Sequence, residues 1–240
     1  MVVKSQLKFI KNLQQKKYRN LHSMFVVEGV KTVNELLVSD LEVQNVYTTD
    51  KDCIPFQSEY CELVSSSDLQ KMSGFKAPNK VLGVFRKPSS QPIEFKDWIL
   101  VLDAVKDPGN LGTIIRLCDW FGIKHLACSL DTVDCYNPKV LQATMGSITR
   151  VNIVYTDIEE LIAACNVPVF GAFMEGTSIY SEHLPTQGIL VMGNEAHGIS
   201  KAIEQLVARK IGIPQFGKST TESLNVATAT AIFLHEIRRP

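Results

Sequence analysis

Three short stretches of this sequence combine glycines with polar side chains that suit chemistry on a ligand. They are residues 107–112 (DPGNLG), 192–198 (MGNEAHG) and 213–217 (IPQFG), and the polar Ser223 and Asn225 follow the third. Glycine lets a backbone approach a ligand closely, whereas asparagine, glutamate and serine supply hydrogen-bonding groups. The stretches therefore predict a ligand site if the fold brings them together.

Single polar residues in these regions allow ordinary structural interpretations as well, and both kinds stay open. Arg116 is either a functional charge or a surface arginine paired with Asp119 or Asp103. His197 is either a general base, since the pKa of histidine suits that task, or a solvent-facing loop histidine. A capping signal explains where the last helix starts, but it does not explain why a second polar residue, Asn225, lies so close to that start.

The sequence beyond residue 97 alternates apolar runs with helical segments. The apolar runs predict buried strands at 98–105, 125–128, 151–155, 167–173 and 188–192. The other segments predict helices at 113–121, 138–146, 158–165, 199–208 and 223–237. Such alternation predicts right-handed βαβ units in an α/β fold, with a mostly parallel sheet covered on both faces. Ligands bind at the carboxyl ends of such strands, where the three stretches would lie.

Residues 1–86 predict a smaller α/β unit with a basic end. Residues 1–31 hold seven basic side chains and a single acid. Helical spacing of apolar residues predicts an amphipathic helix over 5–16. The prolines and serines of residues 87–96 resist helix and strand, so these residues predict a linker before a second domain at 97–240.

The basic end contains candidate RNA contacts, namely Lys16, Lys17 and Arg19, with Tyr18 among them. Cations bind phosphates, and aromatic rings stack on unpaired bases. An ordinary solvated helix end is the alternative interpretation.

Composition excludes several classes of protein. Hydrophobic residues make up 45% of the chain and charged residues 21%, which is typical of a folded globular protein rather than a disordered one. Lysine plus arginine and aspartate plus glutamate each total 25, which argues against a histone-like basic protein. No apolar run approaches the roughly 20 residues of a membrane span. The start of the chain, MVVKSQLKFIKN, lacks the apolar centre of a signal peptide. We therefore expect a soluble, cytoplasmic protein with no membrane partner.

Several familiar site motifs are absent. The six cysteines form no Cys-x-x-Cys pair and no finger-like spacing with the histidines, so no metal site is predicted. No Gly-x-Gly-x-x-Gly follows a strand, which disfavours a Rossmann dinucleotide site, and Walker A, His-Glu-x-x-His and Gly-x-Ser-x-Gly sequences are missing.

Taken together, the three stretches resemble the signature of the SpoU (TrmH) branch of the SPOUT RNA methyltransferases. The matching segments are DPGNLGTIIRLCDWFGI, LVMGNEAHGIS and IGIPQF followed by SLNVATATAI, in the family's order over about 140 residues. KKYRNLHSMFVVEGVKTVNELL and APNKVLGVF are similar to the ends of its ribosomal-protein-L30e-like substrate-binding domain. Two departures are Pro78-Asn79-Lys80 in place of the usual Pro-Gln-Gly and a longer loop at residues 218–222.

The resemblance implies a fold and an activity. The fold is a parallel-sheet SPOUT catalytic domain with a C-terminal trefoil knot, an exception to the rule against threaded chains. The activity is transfer of a methyl group from S-adenosylmethionine to a ribose 2′-hydroxyl of rRNA or tRNA. A homodimer through the catalytic domain is also implied, with the active site completed across the interface.

The resemblance further implies roles for individual residues. The predicted catalytic residues are Asn110, Arg116, Glu195, Ser223 and Asn225. The predicted cofactor-binding residues are Met192, Gly193, Asn194, Ile213 and Leu224. Arg116 is either the base or a fixed charge that stabilises the developing alkoxide, and Glu195 would orient it through a charge-assisted pair.

Two other functions remain possible at this level. A catalytically silent, knotted RNA-binding scaffold would keep the fold without the reaction. A nucleotide-dependent enzyme of flavodoxin-like shape would share the alternation of strands and helices but predicts none of the three stretches.

Overall fold

The structure, a computed structural model, describes residues 2–54, 60–217 and 223–240. The chain divides into unit 1, residues Met1–Ser89 and Asp134–Thr149, and unit 2, residues Ser90–Val133 and Arg150–Pro240. The boundary at Ser89 falls within the predicted linker. Residues 134–149 cluster with unit 1, although they follow the linker by more than 30 positions in sequence. The third-motif loop at 218–222 lies outside the described residues.

The helices and strands have the following bounds. The helices are α1 (Lys4–Asn12), α2 (Lys16–His22), α3 (Val30–Leu37), α4 (Ser66–Met72), α5 (Pro108–Trp120), α6 (Pro138–Thr144), α7 (Ile158–Ala163), α8 (Lys201–Glu204) and α9 (Val226–Arg238). The strands are β1 (Met24–Glu28), β2 (Val43–Thr48), β3 (Cys61–Leu63), β4 (Val81–Arg86), β5 (Trp98–Leu102), β6 (His125–Cys128), β7 (Asn152–Tyr155), β8 (Val169–Ser178), β9 (Gly188–Met192) and β10 (Arg209–Gly212).

Unit 1 is built on a four-stranded sheet in the order β1-β4-β2-β3. β4 pairs antiparallel with both β1 and β2, and β3 runs parallel to β2. Ile10 and Leu13 follow helical spacing and are fully buried in the core of this unit. The helix predicted over 5–16 ends earlier, at Asn12, so Lys16 and Lys17 lie on the separate helix α2.

The segment 134–149 belongs to unit 1 because α6 packs against β1. The ring of Tyr136 lies 4.6 Å from that of Phe25, a buried residue of β1. These contacts bring a part of the chain from far along the sequence into the smaller unit.

Unit 2 is built on a six-stranded sheet in the order β10-β8-β9-β5-β6-β7, and every pair of neighbouring strands is parallel. The predicted α/β fold with a parallel sheet is therefore confirmed. All five predicted strands are present. The sixth, β10, was not predicted because it starts with the exposed Arg209 and Lys210, which read as a polar segment. It lies at the edge of the sheet, where polar side chains are tolerated and discourage edge-to-edge pairing.

Two predicted helices are shorter in the structure than in the sequence pattern. The helix predicted over 199–208 is only the single turn of α8, and the one predicted over 223–237 begins at Val226. The second difference matters for the site, because Asn225 becomes the N-cap of α9 instead of a residue inside it.

Strand register places the loops of unit 2. Leu102 at the end of β5 pairs with Met192 at the end of β9, so the loops that follow these two strands leave the same edge of the sheet. The ladder between β8 and β10 jumps from Lys210–Gly171 to Ile211–Thr177, which leaves residues 172–176 out of the ladder. No helix among the described residues is long and apolar enough to cross a membrane.

Candidate functional site

A cavity of about 960 Å³ lies at this edge of the sheet of unit 2. Its wall includes all five predicted cofactor-binding residues: Met192, Gly193, Asn194, Ile213 and Leu224. Three of the predicted catalytic residues, Glu195, Ser223 and Asn225, line it too. The second and third stretches therefore line the same cavity, although residues 199–212 separate them in sequence.

The wall also contains residues that the sequence pattern did not single out. Ala172, Phe173 and Met174, from the part of β8 that leaves the ladder, line the cavity, as does Phe233 of α9. These side chains carry no polar group, so nothing marked them as site residues. The available signal was their place at the carboxyl end of a predicted strand.

The side chain of Asn194 organises the loop after β9. Its Nδ2 donates to the carbonyl of Ala104 at 2.7 Å, and its Oδ1 accepts from the backbone amides of Ala196 and His197 at 2.9 and 3.1 Å. The backbones of Asn194 and Gly198 exchange two hydrogen bonds of 2.9 Å. The amide side chain is thus occupied within the protein, and Asn194 holds the cavity wall in shape.

The protein's own packing also requires glycine at position 193, in addition to the ligand approach that the sequence suggested. A Cβ at this position would lie 2.2 Å from the carbonyl carbon of Gly198 and 2.3 Å from the nitrogen of Ile199. The close approach is therefore to the protein's own backbone. A side chain here would push the loop apart and reshape the cavity.

Ala104, just after β5, has a left-handed backbone with φ 57°. This conformation is unfavourable for a residue with a Cβ. Two hydrogen bonds hold it: its carbonyl accepts from Asn194, and its amide donates to Ser129 Oγ at 2.9 Å. Alanine carries no sequence signal for such a turn, so Ala104 could not be predicted.

The carboxylate of Glu195 is bound by neutral donors from the first stretch and from the residue just before it. Oε1 accepts from the backbone amide of Asp107 at 3.2 Å and from Asn110 Nδ2 at 3.0 Å, and Oε2 accepts from the amide of Lys106 at 3.2 Å. Burial tends to raise the pKa of Glu195, but these hydrogen bonds outweigh it and lower the pKa below its ordinary value. Glu195 is therefore ionised at neutral pH and is a weak base.

Asn110 and Asn225 extend this contact to the third stretch. Asn225 Oδ1 accepts from the amides of Ala227 and Thr228 and so caps α9. Its Nδ2 donates to Asn110 Oδ1 at 2.8 Å, which turns the Nδ2 of Asn110 towards Glu195. A continuous chain of hydrogen bonds, Glu195–Asn110–Asn225, thus joins all three stretches.

Arg116 stands apart from this chain. It is exposed on α5, does not line the cavity, and makes no hydrogen bond or ion pair with any other described residue. Within this chain Glu195 and Arg116 do not pair, and backbone amides and Asn110 bind the carboxylate instead. The ordinary partners are engaged elsewhere: Asp119 pairs with Arg150 at 2.9 Å, and Asp103 accepts from the amide of Ser200 at 2.7 Å.

His197 is exposed, and among the described residues its neighbours Ala196 and Gly198 line the cavity while it does not. This placement favours the loop interpretation over a general base. The same described residues contain no group of three or more metal-ligating side chains.

The three RNA candidates of unit 1 differ in placement. Lys16 and Lys17 are exposed in the first turn of α2. Arg19 is only 2% exposed, and its guanidinium donates to Asp134 Oδ2 at 2.6 and 3.0 Å and to the carbonyls of Leu13 and Gln14. With its donors used internally, Arg19 is unavailable to an RNA, so it is removed from the predicted set.

The fold and the cavity define a class of protein, namely an α/β protein whose candidate ligand site lies at the carboxyl edge of a parallel sheet. Residues 97–235, more than half of the chain, match the model of the SpoU rRNA methylase family, and residues 4–83 match the MRM3-like substrate binding domain. The chain therefore belongs to the SpoU rRNA methylase family. The resemblance carried by the three stretches is confirmed.

Individual relatives match along nearly their whole length. The 23S rRNA (guanosine(2553)-2′-O)-methyltransferase RlmP of Bacillus subtilis is 29% identical over 235 residues, which cover 95% of this chain and 94% of that protein. The structure of a TrmH-family protein from Porphyromonas gingivalis is 35% identical, with a TM-score of 0.91 and coverage of 100% and 99%. An rRNA methyltransferase from Sinorhizobium meliloti, solved with AdoMet bound, is 27% identical, with a TM-score of 0.86 and coverage of 100% and 97%.

Proposed function

We propose that this chain transfers a methyl group from S-adenosylmethionine to a ribose 2′-hydroxyl of RNA. The observation that carries the proposal is the hydrogen-bonded chain Glu195–Asn110–Asn225, which assembles the three stretches beside one cavity. Ribosomal RNA is favoured over transfer RNA because a relative that matches along 94% of its length is named for a 23S rRNA position. A silent scaffold would have no need of this network.

The cavity suits the cofactor in size and chemistry. Its volume of about 960 Å³ lies within the usual range for small-molecule sites, roughly 300–1,000 Å³. Ile213, Leu224 and Met192 provide apolar surface for a flat ring, and the loop around Gly193 provides backbone polar groups. S-adenosylmethionine supplies, when bound, a methyl group on a positively charged sulfur.

The chain's own residues orient the reaction and manage charge. Glu195, ionised and saturated with donors, fixes Asn110 rather than taking a proton. Asn110 and Asn225 then present a rigid polar edge next to the exposed Ser223. An arginine side chain keeps its proton at neutral pH, so Arg116 serves as the fixed charge that stabilises the negative charge on the 2′-oxygen. The hydroxyl proton passes to solvent water, and the new oxygen–methyl bond replaces the methyl–sulfur bond, whose electron pair stays on the sulfur.

A homodimer gives Arg116 access to a cavity. Trp120, four residues further along α5, is 85% exposed, and residues four apart share a helix face. A second copy that covers this face would bury Trp120 and bring Arg116 to the partner's cavity. Family membership supports this arrangement and the trefoil knot.

Unit 1 is proposed as the part that selects the RNA, which its match to a substrate binding domain supports. We keep its L30e-like fold and the boundaries 1–86, 87–96 and 97–240 as proposals. The cytoplasm is the proposed location, since all six cysteines are free thiols.

The test uses the different alkali sensitivity of the possible products. The purified protein is incubated with tritiated-methyl S-adenosylmethionine and 23S rRNA transcribed in vitro, and the RNA is then hydrolysed in alkali. A 2′-O-methyl group blocks cleavage of its own phosphodiester, so label in alkali-resistant dinucleotides supports the proposal. Label in mononucleotides would indicate base methylation, and no label on rRNA or tRNA transcripts would favour the scaffold.

A further inference from the structure

Basic side chains from separate parts of the chain meet in unit 1, around residues 134–136. Arg19 of α2 binds Asp134 through two of its nitrogens. Lys87, which follows β4, donates from Nζ to Asn20 Oδ1 at 2.8 Å and lies 5.1 Å from the centroid of the Tyr136 ring. Lys87 lies beyond the matched substrate-binding region, which ends at residue 83, and no sequence pattern singled it out.

The surroundings of Lys87 disfavour its positive charge. Burial lowers the pKa of Lys87, and the charges of Arg19 and Lys16 lower it further, whereas Asp134 and Cys135 act in the opposite direction. Geometry also places Lys16 on this side of α2, because it lies four residues before Asn20 and so shares a helix face with the side chain that accepts from Lys87.

The carboxylate near Lys87 is shared with a second cation. The carboxylate of Asp134 is already bound to Arg19, so it offsets one of the positive charges named above. Burial raises the pKa of Tyr136, so its phenol stays neutral and adds no negative charge beside Lys87. A half-buried ammonium whose neighbouring carboxylate is engaged by an arginine is a place where an incoming anion gains a favourable partner.

We propose that Lys87, with Lys16 and Asn20, forms a binding site for a backbone phosphate of the substrate RNA. The proposal rests on the proposed function for the identity of the polyanion. Lys87 contributes the charge, and Asn20 keeps its Nδ2 as a donor after its Oδ1 has accepted from Lys87. Exposed Lys16 lies about one helical turn before Asn20 on the same face of α2. Lys17, whose Nζ lies 5.9 Å from the centroid of the Tyr18 ring, continues the basic surface on the same helix.

The arrangement explains why residues 134–136 are built into unit 1. Asp134 pairs with Arg19 and neutralises its charge, which is buried and cannot reach a ligand. Tyr136 holds the Lys87 ammonium group over its ring through a cation–π contact. Both are positioning residues. The cation that an RNA meets at this point is then Lys87 instead of the predicted Arg19.

The test compares the salt dependence of RNA binding in matched variants. Filter binding of in vitro transcribed 23S rRNA is measured from about 50 to 300 mM KCl for wild type, Lys87→Gln and Lys87→Arg. Each phosphate contact contributes about 0.7–0.9 to the slope of log affinity against log salt. Lys87→Gln is expected to lose a slope of that size, and Lys87→Arg, which keeps the charge, is expected to retain it.

Lys71→Gln is the matched control, because Lys71 is an exposed lysine of the same unit in a surface pair with Asp68. If Lys87→Gln and Lys71→Gln change the slope equally, the effect is general charge and the proposal is wrong. Lys16→Gln, at an exposed position that does not threaten folding, gives an independent test. If the double variant Lys16→Gln/Lys87→Gln loses in total a salt slope equal to about one phosphate contact, the two lysines share a phosphate. If Lys16→Gln alone leaves the salt slope unchanged, Lys16 is not part of the site and the proposal is contradicted.

Methyl transfer separates this proposal from the proposed function. Lys87→Gln is expected to raise the KM for RNA several-fold and to leave kcat and the affinity for S-adenosylmethionine unchanged. A drop in kcat alone would assign Lys87 a different role and overturn the site. A wild type that binds RNA with a steep salt slope but transfers no methyl group would refute the proposed function only.

Discussion

The inner side of α2 and the outer face of α5 each carry an arginine that the sequence predicted to be functional, and the two have opposite surroundings. Arg19 is buried and donates to a carboxylate and two carbonyls. Arg116 is exposed and has no partner in the described part of the chain. A guanidinium whose donors are satisfied stabilises the fold, whereas one whose donors are free is available to a ligand or to a second subunit. Burial and pairing thus separate the two roles, although the side chains are identical.

The largest expected effect is on stability and comes from Arg19. Arg19→Ala leaves the buried carboxylate of Asp134 without its partner, and breaking a buried ion pair costs about 3–5 kcal/mol. Urea unfolding should show a loss of this size. The double variant Arg19→Leu/Asp134→Leu removes both charges and should recover most of it. An Arg19→Ala protein as stable as wild type would mean that the pair is not buried in solution, and would return Arg19 to the candidate RNA contacts.

The next effect is on turnover and comes from Arg116. Removing a charge that stabilises a developing oxyanion costs about 10²–10³-fold in kcat. Arg116→Ala is therefore expected to lose this much methyl transfer, with little change in urea unfolding or in the affinity for S-adenosylmethionine by calorimetry. Lys96→Ala removes an exposed charge of the same unit and serves as the control. Near-wild-type turnover of Arg116→Ala would refute both roles considered for this residue.

Mixing variants decides in which subunit Arg116 acts. Leu224→Arg fills the cavity but keeps Arg116, whereas Arg116→Ala keeps the cavity. If Arg116 serves the partner's cavity, an equal mixture recovers about a quarter of wild-type activity, because half of the dimers are mixed and each has one complete site. No recovery, with mixed dimers shown by mass spectrometry, would place Arg116 in its own subunit's site.

Sequence patterns predicted the strands of unit 2 and their arrangement better than the hydrogen bonds and ion pairs of individual side chains. The buried strands of unit 2 are local apolar runs, so their parallel order and the meeting of the stretches at one edge could be expected. The partners of Glu195 could not, because the amides of Lys106 and Asp107 carry no side-chain signal. Nor could the burial of Arg19, since Asp134 is 115 residues away and the neighbouring Lys16 and Lys17 make the segment read as exposed.

The smallest expected effect concerns Glu195, a carboxylate held by neutral donors where Asp134 is held by a cation. Its pKa is lowered in the folded state, so the stabilisation it provides is complete above the ordinary glutamate value of about 4.3 and is lost as the pH falls through the lowered value. Free energies of unfolding of wild type and Glu195→Gln should therefore differ by a constant amount from about pH 7 to pH 5 and converge only in stronger acid. Convergence between pH 7 and pH 5 would mean a raised pKa. Glu195 would then be the protonatable group beside the cavity, and the assignment of charge stabilisation to Arg116 without a carboxylate base would have to be abandoned.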